Sequence, residues 1–106
     1  MRILTKQEEL VLLAVYQLRD NAYLITIRDL LMANTGREWA FGSIYVCLER
    51  LKNMDYIATR SGEAVPVQGG KAIKFYELRQ TGIEALEQAK AVNDAMWSGF
   101  SMRSGQ

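Results

Sequence analysis

The chain has 106 residues, of which 49% are hydrophobic and 24% charged, and its formal net charge is +1. This balance excludes wholesale disorder and fits one domain with one packed core. The chain has no histidine and a single cysteine, Cys47. These counts exclude an internal disulfide, zinc sites built on histidine or on four cysteines, and catalysis by Ser-His-Asp or Cys-His systems.

These exclusions predict a binding protein, not an enzyme, with no cofactor and no bound metal. The near-neutral charge neither indicates nor excludes a nucleic-acid partner, because local clusters of charge decide that. No apolar run approaches the ~18 residues of a membrane-spanning helix, and the first residues are unlike a signal peptide. We therefore expect a cytoplasmic protein with no membrane partner.

Two helices are predicted in the first third of the chain. Thr5 and Glu8 have the spacing of a capping box, so the first helix begins there and continues through residues that are apolar on almost every side. Such a helix is expected to be buried between two partners, one of which a second chain could supply. A second, shorter helix opens with Thr26 and ends near Gly36.

A third helix is predicted over residues 41–54. Its apolar residues recur at three- and four-residue steps and are expected to face the core: Ile44, Cys47, Leu48, Leu51 and Met54. The other positions form a mixed polar surface that points outward: Ser43, Tyr45, Val46, Glu49, Arg50 and Asn53. Cys47 is interpreted as a small core residue and Trp39, just ahead of the helix, as a core plug.

After the third helix, a period of two residues predicts strands at 56–61 and 73–78, joined by a long loop with the chain's only proline. A last helix is predicted over residues 80–98, and residues 101–106 are expected to fray. The predicted fold class is mainly α with a small β-hairpin (α+β). Three helices followed by a hairpin form a winged helix-turn-helix, in which helices two and three are the helix-turn-helix.

Three segments, in order and spacing, resemble the motifs of PadR-like transcriptional regulators. They cover nearly the whole chain and read Ala22-Tyr23 followed by Ile27-Arg28-x-x-Leu31; Gly42-Ser43-Ile44-Tyr45-x-x-Leu48-x-Arg50-Leu51; and Gly69-Gly70-Lys71-x-x-Lys74-Phe75-Tyr76-x-Leu78-x-x-x-Gly82. The short length of the chain resembles the compact subfamily, which has a single C-terminal helix.

The resemblance implies a bacterial repressor that binds a palindromic operator as a homodimer. In such regulators the third helix enters the major groove, the hairpin wing reaches the adjacent backbone, and the terminal helix mediates dimerisation. The implied organisation is a winged helix-turn-helix domain over residues 1–79 and a C-terminal dimerisation helix over residues 80–100. The resemblance also suggests a planar drug-like or phenolic compound as the inducer class.

The sequence departs from the family pattern at three positions. Leu24 stands in place of a glycine after Ala-Tyr, and Asp55 in place of the glycine that ends the recognition helix. Asp tolerates the left-handed conformation better than most residues, so we expect this helix end to persist. Arg79 stands in place of a threonine, and the segment from Thr81 to Glu84 offers a replacement capping box.

Candidate DNA-binding residues lie on the third helix (Ser43, Tyr45, Val46, Arg50) and on the hairpin (Arg60, Lys71, Lys74). For each, a structural interpretation is open: Tyr45 could fix the helix to the hairpin, the helix strip could be solvated surface, and lysines protect hairpin edges from aggregation. Glu49 lies beside the strip. Phosphate repels this carboxylate unless it accepts from a cytosine amino group or pairs with Arg50, and the adjacent positions make that pairing poor.

The last helix carries a candidate dimer or ligand surface. The helix carries one stripe of apolar residues, and the large ones near its end are more than the small core of one chain can bury. The candidate residues are Leu86, Ala89, Val92, Met96, Trp97 and Phe100. They could pack against a twin subunit or stack on a planar ligand between subunits. A function from another class is also open, a winged-helix module that binds a protein and not DNA, which the near-neutral charge favours.

Overall fold

The computed structural model describes residues 2–64 and 72–100. It contains four helices and one antiparallel hairpin, which confirms the predicted α+β winged-helix fold class. In chain order the elements are α1 (Lys6–Leu18), a 3-10 turn (Arg19–Asn21), α2 (Leu24–Thr35), α3 (Phe41–Asn53), β1 (Ile57–Ala64), β2 (Ala72–Leu78) and α4 (Gln80–Trp97). Lys71 and the tail from residue 101 lie outside the described residues.

The predicted capping box at the start of α1 is confirmed. Thr5 Oγ1 accepts from the Glu8 backbone N–H at 3.1 Å, and Glu8 Oε1 accepts from the Thr5 backbone N–H at 2.9 Å. The helix ends at Leu18, and the capping residue Arg19 follows with a φ of 56°, in the left-handed region. Its buried side chains include Val11, Leu12 and Val15.

Helix α2 begins two residues earlier than predicted, at Leu24. Thr26 is its third residue, and its hydroxyl oxygen accepts from the Tyr23 backbone N–H at 3.0 Å. Leu24 therefore occupies the first turn of a helix, where no left-handed conformation requires the glycine of the family pattern. The helix ends at Gly36 with a φ of 68°, as predicted.

The interior side of α3 is the predicted apolar stripe. Its buried members are Ile44, Cys47, Leu48 and Leu51, with Met54 packed against them. The helix ends at Asn53, one residue before the predicted end, and Asp55 follows in the left-handed conformation with a φ of 70°. Asp55 thus takes the conformation that glycine supplies in the family. Trp39 packs on the core as predicted, and its Nε1 donates to Thr35 Oγ1 at 2.9 Å.

The hairpin is attached to the helical part of the molecule at the start of α2. The Tyr76 backbone N–H donates to the Ala22 carbonyl at 2.8 Å, and Tyr23 pairs with Phe75 as an isolated antiparallel bridge. The Tyr23 and Phe75 rings meet edge to face, with centroids 5.3 Å apart. Gly62 lies beneath the Phe75 ring, so a Cβ at this position would overlap the ring.

Helix α4 begins at Gln80, as predicted, but the replacement capping box is wrong. Thr81 Oγ1 does not cap the helix and instead donates to the Asp55 carbonyl, which joins the start of α4 to the end of α3. Gly82 approaches the Tyr56 carbonyl so closely that no Cβ fits between them. Further along, Asn93 Nδ2 donates to Glu9 Oε2 of α1 at 2.9 Å.

A buried carboxylate joins the start of α1 to the middle of α3. Glu8 is 1% exposed, and its Oε2 accepts from Arg2 Nη2 at 2.8 Å and from Arg50 Nε at 3.0 Å. Burial alone raises the pKa of Glu8, but the hydrogen bonds from Arg2, Thr5 and Arg50 and the charge of Arg2 outweigh it and lower the pKa to about 2. Glu8 is therefore ionised in the folded protein throughout the neutral and mildly acidic range.

The Glu8 pKa gives stability a defined dependence on pH. Because the folded-state pKa is depressed, the stabilisation is present above the ordinary value of about 4.5 and is lost as pH falls towards about 2. Over that range we expect the wild type to lose at most about 3 kcal/mol of unfolding free energy that Glu8→Gln does not lose, since Arg2 is half-exposed and screened. Urea unfolding at a series of pH values measures this, and parallel profiles for the two proteins would contradict it.

Candidate nucleic-acid interface

The outward face of α3 carries the residues that the sequence predicted for it. Because Ile44 and Leu48 face the core, the strip at i, i+3 and i+7 formed by Ser43, Val46 and Arg50 lies on the other side of the helix. Val46 is 57% exposed, although it is apolar. The strip therefore presents a hydroxyl, an aliphatic group and a guanidinium to solvent.

Arg50 has a structural role that its sequence position does not reveal. Its Nε donates to the buried Glu8 carboxylate, while 46% of its side chain stays exposed. The charge of the guanidinium is therefore partly neutralised, and the side chain is fixed in direction. Glu8 and Arg50 are far apart in the sequence, so no local pattern identifies this pair.

Tyr45 lies between α3 and the wing. The residue is 44% exposed, and Lys74 Nζ of β2 lies 5.4 Å from the centroid of its ring. Tyr45 and Lys74 also line a groove of about 270 Å³ together with the start of α2. The tyrosine thus contacts the hairpin and still presents half of its surface to solvent, so the structural and the binding interpretations are compatible.

Glu49 pairs with two lysines, and not with Arg50. Its Oε1 lies 3.4 Å from Lys52 Nζ and its Oε2 lies 3.6 Å from Lys74 Nζ. Oε2 is buried and accepts no hydrogen bond from the residues that the structure describes. Burial, with the charges of Glu49 and Tyr45, raises the pKa of the neighbouring Tyr76 phenol to about 12, so this phenol is neutral at physiological pH.

The predicted positive cluster of Arg60, Lys71 and Lys74 requires correction. In the hairpin register Arg60 faces Phe75, whereas Lys74 faces Ser61, so Arg60 and Lys74 lie on opposite faces of the hairpin. Arg60 Nη2 donates to the Asp20 carbonyl at 2.9 Å, and its guanidinium also lies over the Phe75 ring. Arg60 is therefore an anchor between the wing and the end of α1, away from α3.

Two cations that the sequence analysis missed lie near the start of α3. Lys6 and Arg37 line a groove of about 340 Å³ that also includes Ser43. Neither forms an ion pair within the described part of the chain. The groove brings together the starts of α1 and α3 and the end of α2, and the packing of these helices places the two cations and the carboxylate of Glu38 along the same groove.

The two grooves lie on opposite flanks of α3. Ser43 and Tyr45 are two residues apart, which is about 200° around a helix with 3.6 residues per turn. Lys6 and Arg37 therefore border one side of the outward face, and Lys74 borders the other. The outward face of α3 therefore has basic side chains along both edges, with the carboxylate of Glu38 in the first groove and that of Glu49 beside Lys74.

The candidate dimer surface divides into a buried and an exposed part. Ala89 is only 6% exposed and belongs to the chain's own core, which corrects its prediction as a surface residue, and Leu86 packs against that core. Val92 is half-buried, whereas Met96, Trp97 and Phe100 are exposed. The Trp97 and Phe100 rings meet edge to face, with centroids 4.9 Å apart.

An apolar groove of about 580 Å³ runs between α1 and α4. Its apolar lining consists of Leu13, Tyr16, Leu78, Ile83 and Leu86.

The molecule measures 56 × 30 × 21 Å, and no helix within residues 2–64 and 72–100 is long and apolar enough to cross a membrane. Nor does that part of the chain contain a cluster of three acidic or cysteine side chains that could hold a metal ion.

Of the comparisons with known proteins, the one with solved structures agrees with the motifs found in the sequence. No family model matches the sequence, and no curated protein matches it significantly. Among solved structures, a PadR family transcriptional regulator from Eggerthella lenta DSM 2243 superposes with a TM-score of 0.69 at 26% identity, over 85% of this chain and 76% of that one. A PadR-like transcriptional regulator from Bacillus cereus strain ATCC 14579 gives 0.68 at 25% identity, over 86% and 82%.

A third structure shares the fold at lower identity. RosR of H. salinarum superposes with a TM-score of 0.71 at 19% identity, over 94% of this chain and 83% of that one. RosR therefore shows the shared fold, and the two PadR structures confirm the resemblance to PadR-like winged-helix proteins that the three sequence segments predicted.

Proposed function

This chain has the winged-helix fold of PadR-like transcriptional regulators, and on that premise we propose that it is a sequence-specific DNA-binding regulator that represses transcription as a homodimer on a palindromic operator. The observation that carries the proposal is the pair of cationic edges beside the outward face of α3. A major groove about 12 Å wide admits a helix and is bordered on each side by a phosphate backbone. Lys6 and Arg37 on one flank and Lys74 on the other match that distribution of negative charge.

Roles follow from the chemistry of each side chain. Ser43 and Val46 face the base edges, where a hydroxyl can donate or accept and an aliphatic group can contact a thymine methyl. Tyr45, Arg50 and Lys74 contact phosphate oxygens, with Arg50 held in direction by Glu8. Lys71 belongs to the same wing contact on the basis of the family resemblance.

Dimerisation follows from the geometry of DNA. Two recognition helices read successive major grooves on one face of the duplex only when they are roughly 34 Å apart, and one chain supplies a single such helix. The exposed aromatic end of α4 and the apolar groove between α1 and α4 supply surface for a second copy. A small planar effector would bind between the subunits beside Trp97.

Salt dependence tests the cationic edges. Each phosphate neutralised by a cation contributes about 0.9 to the slope of log affinity against log salt, so Lys6→Ala with Arg37→Ala should flatten the slope by about 1.8 and weaken binding to random duplex. The matched control is Lys90→Ala with Arg79→Ala, which removes the same charge from α4 and its N-cap and should leave the slope unchanged. The slopes are measured by fluorescence polarisation. Equal slopes in the two double variants would show that Lys6 and Arg37, in the groove at Ser43, do not contact phosphates.

The dimer surface has its own test. Trp97→Glu should shift the protein from dimer to monomer in sedimentation and weaken operator binding, because it places a charge in an exposed apolar surface without disturbing the core. Val46→Ser is the control, since Val46 has the same 57% exposure on α3 and should leave the dimer intact. A Trp97→Glu protein that stays dimeric would contradict the assignment of this surface.

The alternative, a module that binds a protein through the same face, is favoured by one observation. Arg50 and Lys74 are paired with Glu8 and Glu49, so part of the positive charge at the interface is neutralised within the chain. Random duplex at low salt separates the two functions, because a DNA-binding protein shows association that weakens steeply with salt and a protein-binding module does not.

A further inference from the structure

Glu49 is the one carboxylate in the described structure that bridges α3 and the wing at the proposed DNA interface. Its side chain is 30% exposed, and its two oxygens lie 3.4 Å from Lys52 Nζ and 3.6 Å from Lys74 Nζ. Like Tyr45, it lies on the flank of α3 that adjoins β2. A phosphate that approaches Lys74 therefore meets Glu49 at the same time.

We propose that Glu49 limits the affinity of this protein for DNA of any sequence by neutralising Lys74 at the edge of the recognition helix. The inference rests on the proposed function and deepens it. Lys74 can contact a phosphate only when its pair with Glu49 opens or is shared, and the carboxylate itself repels the backbone. Both effects reduce the electrostatic part of the affinity, which is the same for every sequence.

The consequence is a lower affinity for every duplex. Because the lost contribution is the same for every sequence, binding to the operator and to random DNA weakens by the same factor and their ratio is unchanged. The contacts of Ser43 and Val46 with base edges make up a larger share of the affinity that remains. The pair of Glu49 with Lys74 is a charge contact and not a hydrogen bond. Oε2 is buried yet accepts no hydrogen bond from the described residues, and its distance to Lys74 Nζ exceeds that of a strong charged pair.

Four proteins test the role of Glu49: wild type, Glu49→Gln, Lys74→Ala and the double variant. Glu49→Gln should bind a random-sequence duplex several-fold more tightly than wild type, with a salt slope steeper by up to about 0.9, because one further cation becomes available. In the Lys74→Ala background the same substitution should change the slope little. Binding to an operator selected from a pool of random duplexes should tighten by a similar factor, so the operator-to-random ratio should change little.

The matched control is Glu77→Gln. Glu77 pairs with Arg60 on the opposite face of the hairpin, at 3.6 Å, so its substitution removes the same charge from the chain without freeing Lys74. Glu49→Ala is a second variant that removes the carboxylate without adding an amide, and thermal unfolding confirms that each variant is folded.

The outcomes separate this inference from the proposed function. A wild type with no salt-sensitive association with any duplex contradicts the proposed function. If the wild type binds DNA but Glu49→Gln and Glu77→Gln have equal affinities for random duplex, only the role of Glu49 is contradicted, and the proposed function stands. If Glu49→Gln loses operator affinity while random binding is unchanged, Glu49 reads a base directly and the screening role is wrong.

Discussion

The interior side of α3 consists of four side chains with no exposed surface, Ile44, Cys47, Leu48 and Leu51. Burial of one large aliphatic side chain contributes about 1.5–3 kcal/mol, so a rotation of α3 that exposed Ile44, Leu48 and Leu51 would cost about 5–9 kcal/mol. That cost is comparable with the whole stability of a typical domain, which is about 5–15 kcal/mol. The direction of every other side chain on the helix follows from that constraint. Ser43, Val46 and Arg50 point outward because the stripe points inward, and the wing meets α3 at Tyr45 for the same reason.

Charge pairing moderates the electrostatics of this outward face. Two of its cations are held by carboxylates, Arg50 by buried Glu8 and Lys74 by Glu49, whereas Lys6 and Arg37 have no carboxylate partner in the described residues. The face is therefore less positive than its count of basic residues suggests, in keeping with a chain whose formal net charge is +1. For the proposed DNA-binding function, contacts with bases would therefore make up a larger share of the affinity than they do for a protein with a strongly basic surface.

Local patterns in the sequence predicted the features that depend on neighbouring residues. The capping box at Thr5, the buried stripe of α3, the left-handed ends at Gly36 and Asp55 and the PadR-like segments are all confirmed. The features that depend on packing were not predictable, because they join distant parts of the chain. Examples are the pair of Glu8 with Arg50 and the side of the hairpin on which Arg60 lies, which a shift of one residue in strand register would reverse. Ala89 was assigned to the wrong surface because its periodicity does not distinguish a core shared with α1 from a face that awaits a second subunit.

The central claim is that the outward face of α3 and the edges beside it contact duplex DNA. An NMR titration of the ¹⁵N-labelled protein with a random duplex at low salt, followed by a selected operator, tests it most directly. The account predicts that the chemical shifts of backbone amides change first at Lys6, Arg37, residues 43–50 and Lys74. The amide shifts of the groove between α1 and α4 should change little. Changes confined to that groove, or none on either duplex, would contradict it.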